Sequence, residues 1–158
     1  MTTQKIAAGA NFLAMRSGAV MAKVALPAIR TVLLVEDEDS DARRLAATLR
    51  IVLGRGVNAQ RVEAVGDVAA AIATSPPDIV FIDDYLKPDD SALETIPELR
   101  RAGYTGPIIV MSGEMDRVRS IVLMAAGASV TMHKEDINSV TIADAMHRAF
   151  DRHSASVG

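Results

Sequence analysis

Residues 78–88 read DIVFIDDYLKP, and the fold can be worked out from this stretch. Ile79–Ile82 are four consecutive apolar residues, which is typical of a short strand buried on both faces. The dipeptide Pro76–Pro77 ends whatever element precedes the strand. Two carboxylates, Asp83 and Asp84, follow directly after it. Open α/β sheets place their chemistry at the carboxyl ends of buried parallel strands, so this acidic pair is the first candidate site.

A second stretch upstream has the same layout. TVLLV occupies residues 31–35 and runs directly into the acidic segment EDED at residues 36–39. The carboxyl ends of parallel strands lie at one edge of a sheet, so two strands that end in acids can bring those acids together. Loop carboxylates are more often solvated or cap helices. Two such clusters at equivalent strand ends nevertheless favour a functional site.

The composition narrows the class of protein. A chain of 158 residues has the size of one domain with a full core, and 49% of its residues are hydrophobic. The absence of cysteine excludes disulfides, thiolate metal sites and cysteine nucleophiles. The net charge of −3 divides into +4 on residues 1–30 and −7 on the remainder. An acidic body without a basic stripe argues against direct binding to nucleic acid.

Residues 1–30 are predicted to be an N-terminal extension of the domain. They are rich in alanine, lack acids, and carry apolar residues at helical spacing. Arg16 and Lys23 interrupt any run long enough to span a membrane, and the pattern of a secretory signal is missing. Two interpretations stay open: a frayed tail, and an amphipathic arm that supports a homodimer or binds a partner.

From Thr31 onward, strand patterns alternate with helix patterns. We predict strands at residues 31–35, 59–65, 79–82, 108–111 and 129–133, and helices at 41–53, about 67–74, 92–101, 115–126 and 140–152. Asp39 and Ser40 are candidate N-caps of the first helix, and Ser91 is a candidate N-cap of the third. This alternation predicts a doubly wound α/β domain, with five helices covering a five-stranded parallel sheet. The domain is expected to span residues 31–153, with a short tail at 154–158.

The fourth predicted helix carries more apolar residues than one core-facing side can hold. Val118, Ile121, Val122 and Ala125 fall on one side of it, while residues 122–124 are all apolar and consecutive. We therefore expect at least one apolar side chain of this helix to reach the surface. It is either a partner contact or an ordinary exposed residue.

Five polar residues follow the predicted strands at one edge of the sheet. They are Glu36 and Asp37 after the first strand, Asp83 after the third, Ser112 after the fourth and Lys134 after the fifth. Clustered carboxylates repel one another, and an all-oxygen set suits Mg²⁺. A carboxylate beside Mg²⁺ is a plausible nucleophile toward phosphorus, and an ammonium group can neutralise the phosphoryl oxygens.

These motifs resemble the receiver domains of two-component response regulators, over about residues 31–152. The segments that carry the resemblance are VLLVEDE, DIVFIDDYL, PIIVMSG and GASVTMHKED. The resemblance implies a flavodoxin-like sheet with strand order 2-1-3-4-5. It implies that Asp83 accepts a phosphoryl group, with Ser112 and Lys134 contacting that group. It also implies that Glu36, Asp37, Asp83 and the backbone carbonyl of Tyr85 hold Mg²⁺.

The adjacent acids Asp83 and Asp84 leave the register of the acceptor to be decided. In the family the acceptor lies five residues after the acid that opens the strand, here Asp78, and a Leu or Met lies three residues later, here Leu86. Both spacings select Asp83. Choosing Asp84 would instead place Pro88 on the family's usual proline. We predict Asp83 as the acceptor and Asp84 as a loop acid beside the site.

Three positions depart from the family pattern. Glu135 follows Lys134 where proline is common, so a cis peptide is less expected there. Ser91 stands where glycine is usual after Asp90. Thr131 stands where an aromatic residue usually lies, three residues before the lysine. The first two leave the chemistry intact, whereas the third predicts that the usual signalling switch is missing or altered.

The resemblance also implies a role in two-component signalling. Because the chain ends at Gly158, soon after the last helix, we expect a stand-alone, cytoplasmic response regulator without membrane or nucleic-acid contacts. A sensor histidine kinase or a histidine phosphotransfer protein would donate the phosphoryl group, and a downstream protein would read it. Phosphorylation and dephosphorylation of itself are the most that it is expected to catalyse.

Two other functions stay open. A haloacid-dehalogenase-type phosphatase also uses a strand-end aspartate with Mg²⁺, but it needs Asp-x-Asp, and Tyr85 is the second residue after Asp83. A receiver-like scaffold that is never phosphorylated is the other alternative, and the intact set of five site residues argues against it.

Overall fold

The computed structural model describes residues 26–157. The elements are β1 (Thr31–Val35), α1 (Asp39–Leu53), β2 (Asn58–Val62), α2 (Val68–Thr74), β3 (Ile79–Asp83), β4 (Tyr85–Leu86), β5 (Asp90–Ser91), α3 (Ala92–Arg101), β6 (Ile108–Ser112), α4 (Arg117–Ala126), β7 (Val130–His133) and α5 (Ser139–Val157). Short 3-10 turns at Val65–Asp67 and Lys134–Asp136 precede α2 and α5. None of the described helices is long and apolar enough to cross a membrane.

Five parallel strands form one sheet in the order β2-β1-β3-β6-β7. The two-residue strands β4 and β5 pair antiparallel with each other and are not part of this sheet. Numbered among themselves, the five parallel strands have the order 2-1-3-4-5, which confirms the predicted fold. The register aligns the strand ends: Val35 pairs with Ile82, and Asp83 pairs with Met111. Residues that follow β1 and β3 therefore emerge at the same level of one sheet edge.

The sheet is buried on both faces because its side chains alternate between two cores. On one face, Ile79 and Phe81 of β3 pack with residues of α1 and α5. On the other face, Val80 and Ile82 pack with residues of α2, α3 and α4. The same alternation continues at the end of β3, so the side chains of Asp83 and Asp84 point toward different sides of the sheet.

The helix starts show where local capping rules hold and where they fail. Ser91 caps α3 as predicted: its Oγ accepts from the Leu93 N–H at 3.1 Å, and Glu94 accepts from the Ser91 N–H at 2.7 Å. The prediction that Asp39 or Ser40 caps α1 is wrong, because α1 begins at Asp39 with Glu38 at the cap position. The Asp39 carboxylate is drawn instead to Arg43 and Arg61.

Other boundaries differ from the predicted ones by a few residues. β2 ends at Val62, since the chain then turns into the 3-10 segment. α4 begins at Arg117 because Asp116 caps it, with Oδ1 accepting from the Arg119 N–H at 2.7 Å. α5 continues to Val157, past its predicted end at residue 152.

The outer side of α4 is apolar and faces solvent. Val118 is 71% exposed, Ile121 60% and Val122 41%, while Leu123 is fully buried and packs on the sheet. The expectation that at least one apolar side chain of this helix reaches the surface is confirmed. We call Val118, Ile121 and Val122 the α4 apolar face.

Candidate functional site

Three carboxylates meet at the carboxyl edge of the sheet. Glu36 and Asp37 follow β1, Asp83 ends β3, and one oxygen of each lies within 4.8 Å of the others. Glu36 and Asp83 are buried, whereas Asp37 is partly exposed. The aligned strand ends thus bring together the three acids that the sequence singled out. We call them the acidic trio.

Glu36 is held by a network of hydrogen bonds. Its Oε1 accepts from the Lys134 ammonium at 2.9 Å, and its Oε2 accepts from the Glu38 N–H at 3.1 Å. The guanidinium of Arg61 donates to the Glu36 carbonyl at 2.9 Å and also pairs with Asp39. Both the backbone and the carboxylate of Glu36 are therefore fixed before any ligand arrives.

Asp83 lies beside two other carboxylates, Glu36 and Asp37, and the Lys134 ammonium is the positive charge next to it. Its Oδ2 is 3.3 Å from the Lys134 ammonium, and its Oδ1 accepts from the Tyr85 N–H at 3.4 Å. Burial, together with the hydrogen bond and the charge of Glu36, raises the pKa of Asp83 to about 7, although Lys134 opposes the rise. A divalent cation at the acidic trio would remove this imbalance, and its all-oxygen donors suit Mg²⁺.

Lys134 supplies the positive charge of the site. Its ammonium lies 2.8 Å from Asp41 and 2.9 Å from Glu36, in addition to the longer contact with Asp83. Burial acts to lower the pKa of Lys134, but the hydrogen bonds to Asp41 and Glu36 and the charge of Asp83 outweigh it and raise that pKa. Lys134 is therefore a permanent cation at neutral pH.

The remaining predicted site residues, Ser112 and Tyr85, border the same edge. Ser112 is buried at the end of β6, and its Oγ accepts from the Glu114 N–H at 3.0 Å, so the hydroxyl keeps its own proton for donation. Tyr85 opens β4, and its ring is about half exposed. The hairpin that Tyr85 begins reaches the acidic trio, because the Lys87 N–H donates to Asp37 at 2.8 Å.

Asp84, interpreted from the sequence as a loop acid beside the site, lies in the bend between β3 and β4 and is a buried partner of an ion pair. Its side chain is 0% exposed and accepts two hydrogen bonds from the guanidinium of Arg119, at 2.7 and 2.8 Å. The Ala92 N–H at the start of α3 donates a third, at 3.2 Å. The guanidinium also lies 5.5 Å from the centre of the Tyr85 ring. Asp84 thus joins β3 to α3 and α4, on the opposite side from the acidic trio.

A family model for the response regulator receiver domain matches residues 32–146, which is well over half of the chain. The protein belongs to the response regulator receiver domain family. No curated protein gives a significant match to the chain.

Solved receiver structures share the fold at low sequence identity. The chain is 22% identical to the BeF3-activated N-terminal receiver domain of Klebsiella pneumoniae RstA, covering 73% of this chain and 94% of that one, with a TM-score of 0.61. It is 19% identical to Vibrio cholerae chemotaxis protein CheY4, covering 77% and 99%, with a TM-score of 0.65. The receiver domain of a putative LuxO repressor protein from Vibrio parahaemolyticus is 20% identical, covering 81% and 95%, with a TM-score of 0.66.

This receiver also has polar contacts that sequence reasoning missed. Thr131, at the position of the family's usual aromatic residue, shares a 2.6 Å hydrogen bond with Ser120 of α4. Arg119 pairs with Asp84 across 35 residues of sequence, and Asp41 pairs with the site residue Lys134 across 93 residues. Periodicity carries no signal for such pairs, since it describes only which side of an element faces the core.

Proposed function

We propose that this receiver accepts a phosphoryl group on Asp83 from a phosphohistidine of a sensor histidine kinase or a histidine phosphotransfer protein. The observation that carries the proposal is the surroundings of Asp83. It is a buried carboxylate among two others, with its pKa raised to about 7, and it lies 3.3 Å from a permanent ammonium. Such a group is poised to bind a cation and to react with an anion that the cation and the lysine attract.

In this proposal Glu36, Asp37, Asp83 and the backbone carbonyl of Tyr85 hold Mg²⁺, with Glu36 acting directly or through water. Bound Mg²⁺ would supply positive charge that keeps Asp83 ionised and offsets the charge of the phosphoryl oxygens. The fit rests on the donors, because the three carboxylates offer oxygens within 4.8 Å of one another and carry more charge than Lys134 can balance.

The transfer is a displacement at phosphorus. A carboxylate oxygen of Asp83 forms the new P–O bond while the P–N bond to the donor histidine breaks, and the imidazole, protonated on its other ring nitrogen, leaves as a neutral group. The Lys134 ammonium neutralises a phosphoryl oxygen, and the Ser112 hydroxyl donates a hydrogen bond to the bound phosphoryl group. The contacts of Asp84 support this choice of acceptor, because Arg119 and the start of α3 occupy its carboxylate.

The output of the receiver is proposed to be a protein contact made through α4. Phosphorylation draws the Ser112 hydroxyl toward the new phosphoryl group. Because the Ser112 Oγ accepts a hydrogen bond from the Glu114 N–H in the unphosphorylated protein, this movement shifts the loop at Gly113–Arg117. Thr131 has no ring to bury, so the change passes into α4, next to the α4 apolar face. Amide exchange with and without a phosphate mimic is expected to change mainly in residues 113–126, and Thr131→Ala is expected to be nearly silent in partner binding.

We also propose that the receiver domain spans residues 31–153 and that it signals in the cytoplasm by binding proteins and not by binding nucleic acid or membrane. Residues 1–25 of the predicted N-terminal extension lie outside the described part of the chain, so the choice between a tail and an amphipathic arm for self-association or partner binding stays a prediction.

Phosphorylation by a small-molecule donor tests the proposal. Acetyl phosphate with Mg²⁺ is expected to give a phosphorylated protein by intact-mass spectrometry, and chelation of the metal is expected to abolish the product. Lys134→Met is expected to reduce it strongly. No product under any condition would favour a scaffold that works without phosphorylation. Steady hydrolysis of a phosphomonoester would favour the phosphatase alternative.

A further inference from the structure

Helix α1 holds Lys134 at two points. The Asp41 carboxylate accepts from the Lys134 ammonium at 2.8 Å, and the guanidinium of Arg44 donates to the Lys134 backbone carbonyl at 3.1 Å. Asp41 and Arg44 are three positions apart, so they share one face of α1. One helix therefore fixes both the tip and the backbone of this lysine.

The ammonium group has three carboxylate partners: it donates hydrogen bonds to two of them, Glu36 and Asp41, and forms a longer ion pair with the third, Asp83. Glu36 at 2.9 Å and Asp41 at 2.8 Å lie closer than Asp83 at 3.3 Å. Asp41 is the partner that stands outside the acidic trio. If a bound cation drew on the oxygens of Glu36 and Asp83, Asp41 would remain as a partner that holds the ammonium group.

A lysine in this position needs such support. Its side chain has a flexible four-carbon stem, so holding the ammonium group in one place costs a large amount of side-chain entropy. The backbone also turns here, because Lys134 opens the 3-10 segment Lys134–Asp136 and is followed by Glu135 rather than by a residue with a fixed backbone angle. The bond from Arg44 steadies the turn, and Asp41 steadies the ammonium.

We propose that Asp41 and Arg44 are positioning residues, which hold Lys134 so that its ammonium group stays beside Asp83. The inference rests on the proposed phosphorylation of Asp83 and adds a role for α1 in it. Neither residue contacts the phosphoryl group, and both act through Lys134.

Kinetics of phosphorylation by acetyl phosphate in saturating Mg²⁺ test this role. Asp41→Ala and Arg44→Ala are each expected to slow the first-order step at saturating donor about tenfold, the size of one lost charge-assisted hydrogen bond, with donor affinity changing less. Asp41→Asn keeps an acceptor oxygen and is expected to restore most of the rate. Arg43→Ala is the matched control, because Arg43 is exposed and pairs with Asp39.

Three outcomes would overturn the inference. They are an Asp41→Ala rate equal to or above that of the parent protein, Arg43→Ala as slow as Arg44→Ala, and a further loss when Asp41→Ala is added to Lys134→Met. Thermal unfolding of each variant shows whether a slow rate comes from misfolding.

A second readout does not depend on phosphorylation. Side-chain NMR of Lys134 in the free protein is expected to show greater mobility of its terminal carbon in Asp41→Ala than in Asp41→Asn. Unchanged mobility would show that Asp41 does not hold the Lys134 ammonium group in place. If the parent protein takes no phosphoryl group but the mobility changes as expected, the proposed function fails while the contact between α1 and Lys134 stands.

Discussion

Replacing Arg119 by methionine tests the buried ion pair that joins β3 to α4. The substitution removes the guanidinium but leaves an apolar side chain that can cover part of the same surface. Asp84 keeps the Ala92 N–H as a donor at 3.2 Å and loses the two charged donors at 2.7 and 2.8 Å. A buried carboxylate is then left without its counter-charge.

The size of the loss follows from the burial of the two partners. Removing one partner of a buried ion pair costs about 3–5 kcal/mol. Asp84 is fully buried, but the Arg119 side chain is 22% exposed, so some water already reaches the guanidinium. We therefore expect the free energy of unfolding to fall by ~2–4 kcal/mol, a large part of the ~5–15 kcal/mol typical of a domain.

Urea unfolding followed by circular dichroism measures this change, provided that the m-value stays constant. Arg117→Met is the matched control, because Arg117 lies in the same first turn of α4 and is exposed; it is expected to change stability by less than ~0.5 kcal/mol. Adding Asp84→Asn to Arg119→Met should recover part of the loss, since an amide is less costly to bury than a carboxylate. Equal stability of the two methionine variants would refute this reasoning.

Four further predictions concern the pH dependence of stability, the binding of Mg²⁺, the acyl phosphate and the N-terminal residues. Because the folded protein holds the Asp83 proton up to about pH 7 while the unfolded chain releases it near 3.8, the stability of the metal-free protein should fall as pH rises between these values, and Asp83→Asn should remove this slope in urea titrations. Protons compete with Mg²⁺ for the same oxygens, so calorimetry should show Mg²⁺ affinity falling as pH drops below about 7. From the spacing of Tyr85, two residues after Asp83, we expect its side chain to shield the acyl phosphate, so Tyr85→Ala should shorten the lifetime of the acyl phosphate; an unchanged half-life would show that the ring stays beside the Arg119 guanidinium and shields nothing. Deleting residues 1–25 should leave light scattering and phosphorylation unchanged, whereas a smaller particle would mean that they form an assembly arm.

The sequence predicted the acidic trio because its placement depends on strand topology alone. Hydrophobic runs located β1 and β3, and parallel strands end at one sheet edge; the strand order implied by the receiver resemblance makes these two strands neighbours, which brings Glu36, Asp37 and Asp83 together. The same argument brought Lys134 to that edge from the end of β7. Features of this kind need only the order and direction of the elements.

The contacts of Asp84 depended on information that local patterns lack. The alternation of β3 does imply that Asp84 points away from Asp83, toward the side where Val80 and Ile82 pack. What fills that space, however, depends on the packing of α4, and Arg119 is 35 residues away. The cap of α1 failed for a similar reason, since a distant arginine, Arg61, competes for the Asp39 carboxylate.

Mapping of the phosphorylated residue tests the central claim most directly. The receiver is phosphorylated by acetyl phosphate in Mg²⁺, the acyl phosphate is trapped by borohydride reduction, and the modified peptide is sequenced by mass spectrometry. We predict the modification on Asp83, its loss in Asp83→Asn, and its retention at a similar level in Asp84→Asn. Modification on Asp84, or labelling that survives in Asp83→Asn and disappears in Asp84→Asn, would contradict the account.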